Sequence, residues 1–176
     1  MLSAANTCPP LGADGLPPLI GEMGDDAQIR REHLAARRTA RCAVRGPADP
    51  AAVRELWIVL HGYAQLAADL LTGLRAIDDG SRLIVAPEAL SRFYDARGDR
   101  ALHHEAPVGA SWMTREDRLH EIADYIAWLQ QAYETHAARV GPAVPVTVLG
   151  FSQGVAAATR WVASGAVPVR HLICWG

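Results

Sequence analysis

A single five-residue motif constrains the fold of this 176-residue chain more than any other feature: Gly150–Gly154 reads GFSQG and matches the pattern G-x-S-x-G. The apolar run 144–149 before it predicts a buried strand, and the alanine-rich stretch 153–164 after it predicts a helix. Residues flanking the serine of such a turn must be small, because larger side chains would collide with the neighbouring strand and helix. The motif therefore predicts that Ser152 is a nucleophile raised on a tight turn. The simpler alternative is a glycine-rich turn in which Ser152 only caps the helix.

The rest of the chain alternates between strand-like and helix-like segments. Strands are predicted for residues 37–45, 56–60, 83–86, 144–149 and 169–175, and helices for residues 66–76, for the stretch between Thr114 and Gly141, and for residues 153–164. Apolar, β-branched strands separated by helices are typical of a parallel sheet that is buried on both faces. We therefore expect a three-layer α/β domain built on a mostly parallel sheet.

The longest predicted helix follows Thr114. That residue is the predicted N-cap, and Asp117, three residues later, completes a variant of the capping box. The apolar residues that follow at helical spacing are assigned to ordinary core packing: Leu119, Ile122, Ile126, Leu129 and Tyr133.

Residues 88–113 show no sustained period and are predicted to be an irregular loop, which in a compact domain is usually functional. The loop carries an aromatic and thioether cluster of Phe93, Tyr94, Trp112 and Met113. These side chains either line a substrate pocket over the predicted site or form a small core beneath the loop.

The segment His61–Tyr63 (HGY) directly follows the predicted strand 56–60. A glycine turn at this place can aim a backbone N–H at the reacting carbonyl, and the residue after the nucleophile supplies a second N–H. The predicted oxyanion donors are therefore the backbone N–H groups of Tyr63 and Gln153. His61 itself is interpreted as a structural histidine at a strand end rather than as a general base.

Five segments then carry a resemblance: LHGY at 60–63 with Gln65, APE at 86–88, SRFY at 91–94, GASWM at 109–113 and GFSQG at 150–154. From about residue 37 to its last residue, the chain resembles the phospholipase/carboxylesterase family of the α/β-hydrolase superfamily, which includes the acyl-protein thioesterases. The resemblance implies hydrolysis of carboxylic esters or thioesters through an acyl-serine intermediate, with neither a metal nor an organic cofactor. It also implies a glycine where this chain has Ala64, and a positive φ there would strain the alanine.

The other two members of a catalytic triad have no evident candidates. In α/β-hydrolases the acid and the histidine follow the serine, yet no Asp or Glu follows Ser152 and the only later histidine, His171, begins a predicted strand. Upstream, His103, His104 and Glu105 are interpreted as a solvated loop tip. His120 and Asp124 resemble a zinc-protease helix without its second histidine, and an exposed helix face is the favoured interpretation.

Composition excludes several classes of function. No apolar run approaches the roughly 20 residues of a membrane span, and a net charge of −2 without a basic cluster argues against nucleic-acid binding. Cys8, Cys42 and Cys174 fit neither a disulfide framework nor a zinc site, so a reducing cytoplasm is expected. Residues 1–24 are predicted to be a loose leader and residues 25–176 a partial α/β-hydrolase domain.

The expected function is that of a serine carboxylesterase acting on a small-molecule or lipid-like acyl ester. We expect the α/β-hydrolase fold to be cut short after residues 169–175, so that the last strands and helix and the triad Asp and His are missing, and the chain alone to be weakly active or inactive. The alternative is a non-catalytic remnant that binds a ligand or partner. An exposed sheet edge at the last strand also predicts self-association into a homo-oligomer.

Overall fold

The computed structural model describes residues 29–95 and 106–176. The chain divides into two units, residues 1–37 and residues 38–176. In the first unit the described residues form neither a helix nor a strand, and every element named below belongs to the second. The predicted leader 1–24 and its boundary, Cys8, and the loop residues His103, His104 and Glu105 lie outside the described residues.

The elements of the second unit follow one another in an alternating order. The strands are β1 (Cys42–Arg45), β2 (Glu55–Leu60), β3 (Arg82–Pro87), β4 (Ser91–Tyr94), β5 (Val108–Ser111), β6 (Val146–Phe151) and β7 (His171–Trp175). The helices are α1 (Ala67–Gly73), α2 (Arg118–Val140) and α3 (Gln153–Ala163), with short 3-10 turns at Pro50–Ala52 and Leu74–Ile77. The five strands predicted from the apolar runs are confirmed, with bounds that differ by a few residues.

Five of these strands form one mixed sheet in the order β1-β3-β2-β6-β7. Strands β3, β2, β6 and β7 run parallel, whereas β1 pairs antiparallel with β3. The centre of the sheet is inaccessible to solvent, since Ile58, Val59 and Leu60 of β2 are fully buried. Strand β7 lies at the edge, and the side chains of Leu172, Ile173 and Trp175 are exposed there.

Helices cover both faces of this sheet, which confirms the predicted three-layer arrangement. On one face the inward side chains of the sheet pack against α2 and α3, with Tyr125, Leu129 and Trp161 in the larger core. On the other face Leu70 and Leu71 of α1 pack against Trp57 and Val59 in a smaller core. Among the described residues, no helix is both long enough and apolar enough to cross a membrane.

The interpretation of residues 88–113 as irregular is wrong for the described part of that segment. Strands β4 and β5 pair antiparallel, Ser91 opposite Ser111 and Tyr94 opposite Val108, and form a separate two-stranded sheet. Each strand is only four residues long. Such short strands give too little alternation for a periodicity argument to detect them.

The predicted start of the long helix is also wrong, by one turn. Helix α2 begins at Arg118, and its N-cap position is Asp117 with a φ of 52°. Thr114 instead lies in a turn before the helix. Its hydroxyl donates to the Glu116 carbonyl, and its backbone N–H donates to the Glu121 carboxylate at 2.7 Å. The threonine side chain is thus used in a preceding turn, which hydroxyl residues favour.

One of the five residues assigned to the core of α2 is misplaced. Leu119 lies in the first turn and is 71% exposed, whereas Leu129 is fully buried. Ile122, Ile126 and Tyr133 are partly buried against the same core. The buried face of the helix therefore begins one turn later than the spacing of apolar residues suggests.

These two leucines form a matched pair for measuring the contribution of the core. We expect Leu129→Ala to lower the free energy of unfolding by about 2–5 kcal/mol, because it leaves a cavity in the larger core. Leu119→Ala, on the same helix, should change it by less than about 0.5 kcal/mol. Urea unfolding followed by circular dichroism measures both, and equal losses would show that the packing of α2 is wrongly described.

Candidate active site

Ser152 occupies the sharp turn between β6 and α3. Its backbone has φ 51° and ψ −116°, a conformation that residues other than glycine rarely adopt, and its side chain is exposed. Strained residues of this kind cost about 1–3 kcal/mol and persist only where the surrounding structure enforces them. The sequence motif is thus accompanied by the backbone geometry of a nucleophile elbow.

The two glycines of the motif are required by close backbone packing. A Cβ atom at Gly150 would lie 2.5 Å from the carbonyl oxygen of Gly154 and 2.6 Å from the Cα of Val155. A Cβ atom at Gly154 would collide with the carbonyl oxygens of Leu60 and His61. The steric argument made from the sequence is confirmed, and it shows that the elbow packs directly on the end of β2.

The loop after β2 lies at the same end of the sheet as Ser152, because Leu60 is paired with Gly150 in neighbouring parallel strands. Within the loop, the Gln65 side-chain oxygen accepts the backbone N–H of Gly62 at 2.8 Å. The Tyr63 ring stacks on Phe93 of β4 at 5.3 Å, and its side chain is half exposed. The predicted donors Tyr63 and Gln153 thus follow the ends of adjacent strands.

Ala64 adopts a φ of 62°, in the left-handed region that favours glycine. Its backbone N–H donates to the Ala110 carbonyl at 2.9 Å, and its backbone packs so closely on Gly109 that a Cβ there would lie 2.7 Å from the Ala64 Cα. Strand β5 therefore holds the loop in a conformation that costs an alanine about 1–2 kcal/mol. The strain expected from the sequence at this position is present.

The Gln153 side chain has a role that the sequence analysis missed. Its amide oxygen accepts the backbone N–H of Trp112 at 3.1 Å, and its amide nitrogen donates to the Met113 carbonyl at 3.0 Å and to the Ser111 hydroxyl at 3.1 Å. The first residue of α3 is thereby tied to the segment that follows β5. No local pattern signals these contacts, because the partners are about 40 residues away in sequence.

His61 is a structural histidine, as the sequence analysis favoured. The ring is fully buried and packs against Trp112 with 5.1 Å between centroids. The backbone N–H of Ala89 donates to Nε2 at 3.0 Å, so Nδ1 carries the proton and donates to the Gly62 carbonyl at 2.8 Å. Burial lowers the pKa of His61, and the hydrogen bond to Gly62 and the nearby Glu88 carboxylate offset only part of that effect.

The four proposed pocket residues lie in different surroundings. Trp112 is 3% exposed, and its indole N–H donates to the His61 carbonyl at 2.8 Å, so it belongs to the core. Met113 packs partly on that core and lines a cavity beside α3. Phe93 contacts Tyr63, whereas the Tyr94 side chain is about half exposed on β4.

Glu88, at the end of β3, is a second buried polar group that the sequence analysis did not single out. Its carboxylate is 3% exposed and accepts from Arg41 at 2.7 Å and from Arg92 at 3.2 Å. It also accepts the backbone N–H of Ala67 at 3.4 Å. Burial alone would raise the pKa of Glu88, but the two guanidinium groups outweigh it and hold the pKa below its usual value. The ion cluster connects the residue before β1, the start of α1 and β4 to the end of β3.

In the part of the chain that the structure describes, the Ser152 hydroxyl makes no hydrogen bond to a histidine. His171 pairs with Thr147, five residues before Ser152 along β6. At about 3.3 Å per residue, Thr147 and Ser152 are roughly 16 Å apart along the strand. Its placement agrees with the sequence argument that His171 is not the general base.

His120 and Asp124 lie on the exposed face of α2, the interpretation that was favoured for them. Within residues 38–95 and 106–176, no three side chains of His, Cys, Asp or Glu converge closely enough to bind one ion. The arrangement around Ser152 is that of a strained, exposed serine beside a loop held by hydrogen bonds.

Comparison with solved structures identifies the fold. A phospholipase/carboxylesterase from Dyadobacter fermentans superposes with a TM-score of 0.58 at 17% identity, over 80% of this chain and 61% of that one. The acyl-protein thioesterase 2 of Zea mays superposes with a TM-score of 0.54 at 17% identity, over 77% of this chain and 61% of that one. This chain has the α/β-hydrolase fold. It spans less than two thirds of the length of either structure, and neither a protein-family model nor a curated protein sequence matches it.

The strain at Ala64 gives a direct test of the loop geometry. We expect Ala64→Gly to raise the free energy of unfolding by about 0.5–1 kcal/mol, because relief of the left-handed strain exceeds the entropy cost of glycine. Ala127→Gly, at an exposed position within α2, should instead lower it by about 1 kcal/mol. Thermal and urea unfolding measure both, and a destabilised Ala64→Gly chain would contradict the assigned backbone conformation.

The lowered pKa of His61 predicts a pH dependence of stability. At a pH below the ordinary histidine pKa of about 6.5, His61 is protonated in the unfolded chain but stays neutral in the folded chain. The free energy of unfolding therefore falls as the pH falls through this range. In His61→Gln the loss of stability between pH 6.5 and 5 should be smaller than in the wild-type chain. Above pH 7.5 the two curves should run parallel. An unchanged slope in the variant below pH 6.5 would argue against a buried, neutral His61.

Proposed function

We propose that this chain carries the nucleophile of a serine carboxylesterase that hydrolyses carboxylic esters or thioesters through an acyl-serine intermediate. The observation that carries the proposal is the backbone of Ser152, strained at φ 51° and ψ −116° at an exposed residue. A turn that only caps a helix needs no such strain, because an ordinary N-cap residue is extended. Strain that is enforced at one exposed serine is typical of catalysis.

In the proposed mechanism the Ser152 Oγ attacks the acyl carbon while a general base takes the hydroxyl proton. The carbonyl oxygen becomes negative and accepts hydrogen bonds from the backbone N–H groups of Tyr63 and Gln153. Collapse of this intermediate breaks the bond to the alcohol or thiol, which receives the proton, and leaves Ser152 acylated. Water then attacks the acyl-serine by the same steps, which releases the acid and restores the hydroxyl.

The clamps around the two donors support their assignment. Gln65 and β5 fix the loop that carries Tyr63, and the Gln153 side chain is fixed by the segment after β5. Donors that are held before the reaction need no reorganisation as the negative charge develops, and each one is worth about 3–4 kcal/mol of the barrier. The general base and its acid partner come, in this proposal, from outside the described residues.

The surroundings of the site support a small or lipid-like acyl ester as substrate, with apolar contacts offered by Met113 and by the stacked pair of Tyr63 and Phe93. Unpaired thiols at Cys42 and Cys174 are compatible with a reducing cytoplasm. The exposed edge strand β7 supports self-association, since an unpaired strand edge can pair with a second copy.

Turnover of p-nitrophenyl acetate by this 176-residue chain tests the proposal. We expect slow hydrolysis, no more than about 10³–10⁴-fold above water, because within the described residues no histidine lies beside Ser152 to act as its base. Ser152→Ala should lose the part of this activity that passes through an acyl-serine and keep the part that comes from the oxyanion donors alone. Ser164→Ala, at the other end of α3, is the matched control and should retain both parts.

Added imidazole sharpens the test, because it can serve as the external base. Its acceleration should be larger for the wild-type chain than for Ser152→Ala, which reports the direct reaction of imidazole with the ester. Hydrolysis that is equal in the wild-type chain and in Ser152→Ala, with and without imidazole, would refute the nucleophile role and favour a non-catalytic binding protein.

A further inference from the structure

A cavity of about 290 Å³ lies beside the N-terminal half of α3. Its walls come from α3 and from the segment between Trp112 and Arg118 that leads into α2. The floor is apolar, formed by Trp112, Met113 and two alanines of α3. Its volume is close to the lower end of the range for small-molecule sites.

Three arginines, Arg115, Arg118 and Arg160, line this cavity. Among the described residues, Arg160 forms hydrogen bonds to neutral groups: its Nη1 lies 3.4 Å from the Tyr125 hydroxyl, 3.3 Å from the Ala156 carbonyl oxygen and 3.6 Å from the Met113 sulfur. Across residues 29–95 and 106–176, none of the three guanidinium groups is paired with a carboxylate. By contrast, Arg41, Arg82 and Arg92 all have acidic partners.

One residue of the cavity lining adjoins Ser152 in sequence. Gln153, the residue after Ser152, lines one end of it, and Arg160 lies seven residues further along the same helix. At 1.5 Å per residue this places Arg160 roughly 10 Å from the elbow along the helix axis. A substrate held at Ser152 would have to extend past Gln153 by about this length to contact Arg160.

The geometry points to this cavity as the binding site for the anionic end of the substrate, an ester or thioester whose apolar arm ends in a carboxylate or phosphate. This inference rests on the proposed esterase function of Ser152. Guanidinium groups bind both anions through charge-assisted, paired hydrogen bonds. The apolar floor accommodates the arm between the ester and the charged group, which a solvated cluster of arginines alone would not provide.

Binding of phenyl phosphate tests the inference without requiring turnover. Calorimetric titration of the 176-residue chain at low salt should show saturable binding, with benzyl alcohol as the neutral counterpart binding far more weakly. Arg160→Gln and Arg118→Gln should each weaken binding about tenfold, and Ser152→Ala should leave it unchanged. Arg75→Gln is the matched control, since Arg75 is exposed and lies beyond α1, on the opposite face of the sheet.

Thermal unfolding shows whether each variant is folded. If one of the two arginine variants misfolds, the other still tests the inference. The inference is overturned if the wild-type chain does not bind phenyl phosphate, if benzyl alcohol binds as tightly, or if Arg75→Gln weakens binding as much as Arg160→Gln. Phenyl phosphate binding that persists while Ser152-dependent turnover is absent would overturn the proposed function and retain the anion site. Ser152-dependent turnover without phenyl phosphate binding would retain the proposed function and overturn the anion site.

Discussion

The contact between Gly154 and the end of β2 is the constraint on which the site depends. At this point the first turn of α3 packs directly on the carbonyl oxygens of Leu60 and His61, with no room for a side chain. The chain can enter α3 from β6 at this distance only through a tight turn, and Ser152 takes the strained conformation at its apex. One packing requirement thus exposes the serine and brings it to the strand end that carries the Tyr63 loop.

The two-stranded sheet of β4 and β5 provides the second constraint, because it contacts both the loop that carries Tyr63 and the start of α3. The Tyr63 loop is fixed by the stack of Tyr63 on Phe93 and by the hydrogen bond from Ala64 to Ala110. The turn at Ser152 is fixed by the Gln153 side chain, which forms hydrogen bonds to the segment after β5. A small two-stranded sheet outside the main sheet therefore sets the distance between the two proposed oxyanion donors.

The sequence predicted the parts of the molecule that depend on local pattern. The apolar runs gave the strands of the main sheet, and the GFSQG motif gave the strained turn, because both signals lie within a few consecutive residues. The positive φ of Ala64 was anticipated from the glycine that the resemblance implies there.

Features that depend on distant contacts were not predicted. The two-stranded sheet consists of strands too short for a period, and the bonds of Gln153 and Glu88 join residues far apart in sequence. The exposure of Leu119 follows from where α2 meets the sheet, which helical spacing alone does not encode.

A crystal structure of the chain with a boronic acid analogue of an acyl substrate would test the central claim most directly. A boronic acid adds to a serine hydroxyl to form a tetrahedral adduct, and one of its oxygens occupies the place of the oxyanion. The account predicts boron bonded to the Ser152 Oγ, with that oxygen about 2.7–3.1 Å from the backbone nitrogens of both Tyr63 and Gln153. An adduct on another residue, or an oxygen directed away from these two N–H groups, would contradict it.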